Sequence, residues 1–398
     1  MWPLFLALTL LGPERQTAPH AYDPPSLQLA APAVALAQDA QGVAMAWSMP
    51  NAAGQARIHV ARLDRLGHLA VVRELAVVLG GDRTAALYPS MSRRVGAEGF
   101  LLTWVENIGS RTRAAYALLD ASLAQAAPAL LPGVGITTPP LAASGNGVMW
   151  VTSAAQFWHI ETDGFARGPF AAVWPASDMT ATAGGPRIVS GWRDPNAWIC
   201  SGNSGCSAGG PPLGGYCNDQ CRIYTNALRL VVPYDVVESS RLDFATDAQP
   251  AVESDGERVV VAWFRGAQKS GGDVVAALLE PLTPVAFRSA VQAPLVLGRF
   301  GPDSGRTRPD IAVTARGTFV VWRTTSAAGD HDVVGALLAR AGTVEQFTVA
   351  SSPADERDPS ILELENGLLL VAYRKIEGNQ SRIAWRFLGE QGKRRSVR

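Results

Sequence analysis

Short apolar runs recur along the chain. Each follows a Gly-containing turn and is closed by a large aromatic: Trp47 in GVAMAW, Trp104 in GFLLTW, Trp150 in GNGVMW, Trp192 in GPRIVSGW, Trp263 in ERVVVAW, Trp322 in GTFVVW and Tyr373 in GLLLVAY. Runs this short, bounded by Gly and Pro and rich in β-branched residues, predict buried strands. A shorter run precedes most of them, as in PAVAL, PSMS, PAVES, PDIAV and PSILEL. These units open near Pro32, Pro89, Pro140, Pro186, Pro250, Pro309 and Pro359. After a polar loop comes a third run: ARIHVARLD, RAAYALLD, CRIYTNALRL, DVVAALL, DVVGALL and RIAWRFL. A weaker fourth, such as VRELAVV or EQFTVAS, ends most units.

Self-similarity at roughly 40 to 60 residues marks a repeat architecture, and strand-rich units of that size predict propeller blades. The near identity of DVVAALL from Asp273 and DVVGALL from Asp332 excludes coincidence. The expected fold is all-β, a β-propeller of seven four-stranded blades forming one domain over residues 22–398. Six or eight blades are the alternatives, because the unit around Trp150 is compressed and the next is stretched. The last unit runs out after RIAWRFLGEQ, and SLQLA at residues 26–30 is expected to supply its missing edge strand. The recurring aromatics sit at one strand position beside β-branched and Leu residues, which is what blade-to-blade packing requires.

Composition narrows the class of partner. With 35 basic and 35 acidic residues the chain carries no net charge, so no global field draws it to nucleic acid or to an anionic membrane. The basic tail GKRRSVR reads as a solvated terminus. The opening MWPLFLALTLLG is too short to span a bilayer and has the size of a signal-peptide apolar core, so residues 1–21, ending APHA at Ala21, read as a signal peptide. The expected location is secreted, periplasmic or cell-surface, and the expected state a monomer. All four cysteines, Cys200, Cys206, Cys217 and Cys221, fall in a Gly/Pro-rich insertion at 194–222. Behind a signal peptide they read as two local disulfides, with all three pairings open, and their gaps do not suit paired zinc ligands.

If the strands of each unit run outward from the axis, the connections between units and the loops between second and third strands share one face. A ligand site belongs there. Arg193, Arg323 and Arg374 directly follow the closing aromatic, with Arg265 one place later. The inter-unit connections bring Asp247, Asp303, Asp310, Asp355 and Asp358 to the same rim. Either several Arg converge on an acidic ligand, or each Arg bridges to an Asp and locks units together. The candidate ligand residues are Arg193, Arg265, Arg323, Arg374, Asp247, Asp310 and Asp358. The cysteine insertion, with Trp198, Tyr216 and Tyr224 nearby, is the first candidate contact surface.

Catalytic signatures are few. There is no G-x-S-x-G elbow, P-loop, H-E-x-x-H or complete EF-hand loop. The histidines are scattered, and GDHD at 329–332 is a local carboxylate-His cluster that reads as a solvated turn, so no metal or cofactor is expected. Asn379 in N-Q-S matches a glycosylation acceptor. Through the Pro-started strand, Gly turn, Trp and D-V-V-x-A-L-L, residues 32–388 resemble the secreted bacterial propellers of the sialidase-like kind. That resemblance implies an Arg triad, a Tyr nucleophile with an acidic partner, and Asp-box turns of the S-x-D-x-G-x-T-W type. The sequence holds no Asp box, and Tyr88, Tyr116, Tyr216, Tyr224, Tyr234 and Tyr373 stand in no nucleophile motif. The expected function is a non-enzymatic scaffold for a protein or glycan partner. The alternative is a glycan-acting hydrolase using rim Arg and Asp.

Overall fold

The computed structural model describes residues 8–390 except 22–31, 133–138, 172–177, 194–198, 201–220, 238–249, 282–286, 303–307 and gaps of one to four residues. The chain is all-β, and its sheets follow one another as those of a β-propeller do. Among the described residues seven sheets have four or more strands. Every described strand pair is antiparallel, and in sheets one, two, three and six four consecutive strands pair side by side. Sheet one runs Val34–Asp39, Gly42–Pro50, Ala56–Leu63 and Leu69–Glu74, and sheet six Asp310–Thr314, Gly317–Thr325, His331–Ala339 and Val344–Ala350. Each first strand contacts the first strand of the next sheet, and Asp355–Glu363 of the seventh returns to Val34–Asp39 of the first.

The recurring aromatics all fall on second strands. Trp47, Trp104, Trp263, Trp322 and Tyr373 are at most 1% exposed. Alternation along a strand sends every second side chain to one sheet face, so the core forms between neighbouring sheets. Trp104 packs with Ala35, Ala44, Ile58 and Val60 of sheet one, and Trp322 with Val260, Val274 and Leu297 of sheet five. Trp47 packs with Leu370, Ile383 and Trp385 of sheet seven, which ties the two ends of the chain together.

Two boundaries differ from the sequence reading. The fourth sheet opens with Asp178–Thr182, and Pro186 lies inside its second strand, Gly185–Arg193, opposite Ala181. Asp178 does there what the residue after Pro does elsewhere, so Pro186 is not the start of the unit. The outer edge of the seventh sheet is formed by Leu8–Leu10, Arg15–Gln16 and His20–Ala21 on Gln380–Glu390, within the stretch that reads as a signal peptide. The segment SLQLA lies outside the described residues.

The turn into two first strands carries a distortion. Tyr88 (φ 54°) and Asp358 (φ 52°) each precede a Pro, in the left-handed region, where the register shifts between Leu87 and Ser90 and between Arg357 and Ser360. Asp tolerates this conformation far better than a bulky residue does.

Candidate functional site

The side chain after the Pro position is an acceptor in several sheets, and it bonds to the first strand of the neighbouring sheet. Ser90 Oγ accepts from Ala142 N (3.1 Å), Asp178 Oδ2 from Val252 N (2.9 Å), and Asp310 Oδ2 from Ile361 N (2.8 Å) and Ser360 Oγ (3.1 Å). The seam between the last and first sheets uses backbone instead, with Ala33 N donating to Asp358 O at 3.0 Å. A strand edge facing another sheet's inner strand would otherwise hold unmet N–H groups, so these acceptors complete the inner wall.

On this wall Arg308 joins the fourth and sixth sheets. Its Nη1 lies 2.8 Å from Asp178 Oδ1 and its Nη2 3.8 Å from Asp310 Oδ1. Glu253 of the intervening sheet accepts from Thr180 Oγ1 at 2.8 Å and from Ser254 N at 2.8 Å. Burial pushes the Glu253 carboxyl up to about 7, against those hydrogen bonds, and the Asp178 and Asp310 charges add to the rise. Burial pushes Asp310 up to about 6, although Arg308 pulls the other way. The guanidinium therefore stands between carboxyls that compete for one cation.

A second cluster lies where the hairpin turn of sheet six meets sheet seven. His331 Nδ1 is 2.7 Å from Asp355 Oδ1, and Arg357 binds the other oxygen of the same carboxylate. Burial raises Asp355, but the hydrogen bonds from His331 and Arg357 outweigh it and hold the group at about 2. The neighbouring Glu356 is fully buried and is pushed up to about 7, chiefly by burial. The GDHD turn is thus anchored through His331.

The other sequence candidates are scattered in role. Arg265 pairs with Asp273 of its own hairpin at 2.8 Å, directly opposite in register. Arg323 is buried, 3% exposed. Arg374 is partly buried, and its charge adds to the burial that lowers the pKa of His20. Asp358 serves as a bulge residue whose carbonyl closes the ring. Arg193 and Cys200 lie in strands whose side chains are not described, as does Cys221, which stands opposite Cys200 in the pair Ile199–Cys200 and Cys221–Arg222. Asp247, Asp303, Cys206, Cys217, Trp198, Tyr216 and Tyr224 fall outside the described residues.

Sequence reasoning missed Asp178, Glu253 and Arg308. The signal for Asp178 was present in its alignment with Ser90, Asp310 and Ser360, but no Pro precedes it. It also missed a cavity of about 670 Å³ on the opposite face, between the first hairpin turns of sheets two and three, lined by Arg93, Arg94, Glu98 and Ser144. Arg94 Nη2 there donates to Thr162 O at 2.9 Å, which ties the two sheets. Among the described residues no three His, Cys, Asp or Glu side chains group to hold a metal ion, and no helix is long and apolar enough to cross a membrane.

Comparison with known proteins follows the same line. No family model and no curated protein matches the chain. Among solved structures, a protein of unknown function from Dyadobacter fermentans aligns with 95% of this chain and 99% of its own at 9% identity and a TM-score of 0.47. A Trypanosoma rangeli sialidase in complex with sialic acid aligns with 95% of this chain and 59% of its own, at 5% identity and a TM-score of 0.47. The β-propeller domain of the Trilobed protease from Pyrococcus furiosus aligns with 92% of this chain and 98% of its own, at 10% identity and a TM-score of 0.45. Likeness at this level carries no argument about activity.

Proposed function

We propose that the chain is a seven-bladed propeller, exported from the cell, that presents its inter-blade and second-to-third-strand loops to a protein or glycan partner without transforming it. The observation that carries this reading is Arg308, held between Asp178 and Asp310 of different sheets. Two further rim charges support the reading, Asp355 paired with His331 of the sixth sheet and Arg265 with Asp273 of its own hairpin. An Arg that satisfies two carboxylates lends rigidity to a scaffold. The test is a glycan array run beside a broad glycosidase screen. Saturable binding without turnover supports the scaffold; turnover of any glycan overturns it.

One observation favours a hydrolase as the second reading. Glu253 and Asp310 are carboxyls poised near neutrality on inner strands, the property required of a general acid. Under that reading Glu253→Gln abolishes turnover; under the first there is none to lose. The cysteine insertion is proposed to carry two disulfides, with Cys200 and Cys221 adjacent in backbone register. Thiol titration of the denatured, exported protein should find no free thiol, and four free thiols per chain would refute it.

A further inference from the structure

We propose that residues 8–21 are a retained clasp: they form the outer edge of the seventh sheet and fasten it to the first, with Glu14 as the anchor, so the folded protein keeps them.

The clasp runs antiparallel along the whole third strand of the seventh sheet. Leu8 stands opposite Glu390, Arg15 opposite Trp385, and Ala21 opposite Gln380. Between these pairs, Leu11 N donates to Phe387 O and Thr17 N to Ile383 O, both at 2.8 Å, while Ile383 N donates to Thr17 Oγ1 at 3.1 Å. Without the clasp, Gln380–Glu390 would be an eleven-residue open edge, the exposed ladder that folded proteins avoid.

Glu14 then reaches inward. Its carboxylate accepts from the Tyr373 hydroxyl, from Lys375 Nζ at 3.1 Å and from Arg386 Nη2 at 3.2 Å. Lys375 is 8% exposed, and Tyr373 is fully buried. Removing the carboxylate takes the acceptor from the buried Tyr373 hydroxyl and leaves the enclosed Lys375 ammonium only the more distant carboxylates of Glu356 and Glu377, each at 3.9 Å, and weakening the pairing of an enclosed cation is far costlier than weakening that of a surface one. These contacts are specific to a folded clasp and do nothing for a segment that is discarded.

The clasp also bridges to the first sheet. Arg15 lies over the Phe387 ring at 5.8 Å, and a Cβ on Gly67 of the first sheet would meet both Arg15 Nη1 and Phe387 Cε2 at 2.5 Å. Gly67 carbonyl accepts from Trp385 Nε1 at 3.0 Å, and Leu11 packs in the cluster shared by the two sheets. Cleavage after Ala21 would remove the Arg15 and Leu11 contacts and leave only those that Gly67 makes with Trp385 and Phe387, so any processing of the N-terminus must stop short of Leu8.

The test uses full-length protein with a protease recognition sequence inserted after Asp23. After cutting, the N-terminal peptide is expected to co-elute with the ring on native gel filtration and to leave only in denaturant. The same cut in Glu14→Gln protein should release the peptide at least tenfold faster. Immediate release from the unsubstituted protein would overturn the proposal. So would an exported protein whose intact mass places its first residue at Tyr22, whereas a first residue at or before Leu8 upholds it.

Discussion

Trp322 is 1% exposed, and its indole Nε1 donates to Arg299 O of the preceding sheet at 3.1 Å. A Cβ on Gly298 would lie 2.6 Å from its Cζ2, so the strand beneath it comes as close as only glycine permits. Deleting such a ring leaves a cavity between two sheets that cannot collapse. Trp322→Ala should therefore destabilise by about 3 to 5 kcal/mol with partner binding unchanged, measured by denaturant unfolding. Loss of binding at unchanged stability would make the aromatic a recognition surface. The sequence made this role readable because the same residue type recurred at one strand position. Arg308 and Glu253 were not readable, since the partners that define them, Asp178 and Thr180, come from another sheet and no local spacing records the meeting. Glu253 offers its own test. Its pKa rises from 4.5 unfolded to about 7 folded, so the folded state binds the extra proton. Its contribution is intact below the unfolded value and is lost as pH rises from about 4.5 through 7, amounting to about 3 kcal/mol. Facing it are Asp178, Asp310 and Arg308. Glu253→Gln should flatten the fall in melting temperature between pH 5 and 8; an unchanged slope would place the titrating group elsewhere.

At the scale of elements, the Pro-led strands were legible because Pro and Gly punctuate the chain at the turns. The bulge before two of those prolines was not, because a left-handed residue there needs knowledge of the register. Asp358 is a ligand candidate by its position, and its left-handed backbone places its carbonyl to accept from Ala33 N. Asp358→Gly should leave the melting temperature equal or higher, since glycine adopts the conformation freely, whereas Asp358→Val should cost about 1 to 2 kcal/mol. A loss of ligand affinity in the glycine variant would restore the side chain to a binding role. The fourth sheet defeated the Pro rule because Asp178 took the acceptor position without the proline. The apolar opening run was hard to read for a different reason: it has the composition of both an export signal and a buried edge, and composition does not separate them. In the structure Leu8–Leu10 and Arg15–Gln16 of that stretch pair with Gln380–Glu390.

Across the whole molecule, the repeat period made the all-β ring readable, while the charges that join its sheets were hidden in it. Among the described residues, seven sheets of four or more strands, each first strand beside the next, place Ser90, Asp178 and Asp310 on one inner wall. On the scaffold proposed above, these charges hold the sheets together and recognition falls to the outer loops. The most direct test is thermal unfolding of Arg308→Ala, with and without an acidic glycan. The expected result is a lower midpoint, from a loss of about 3 to 5 kcal/mol as Asp178 and Asp310 lose their shared cation, with any glycan-induced shift unaltered. A midpoint equal to or above that of the unsubstituted protein, with the acidic glycan no longer bound, would contradict the account and make Arg308 part of an anion-binding site.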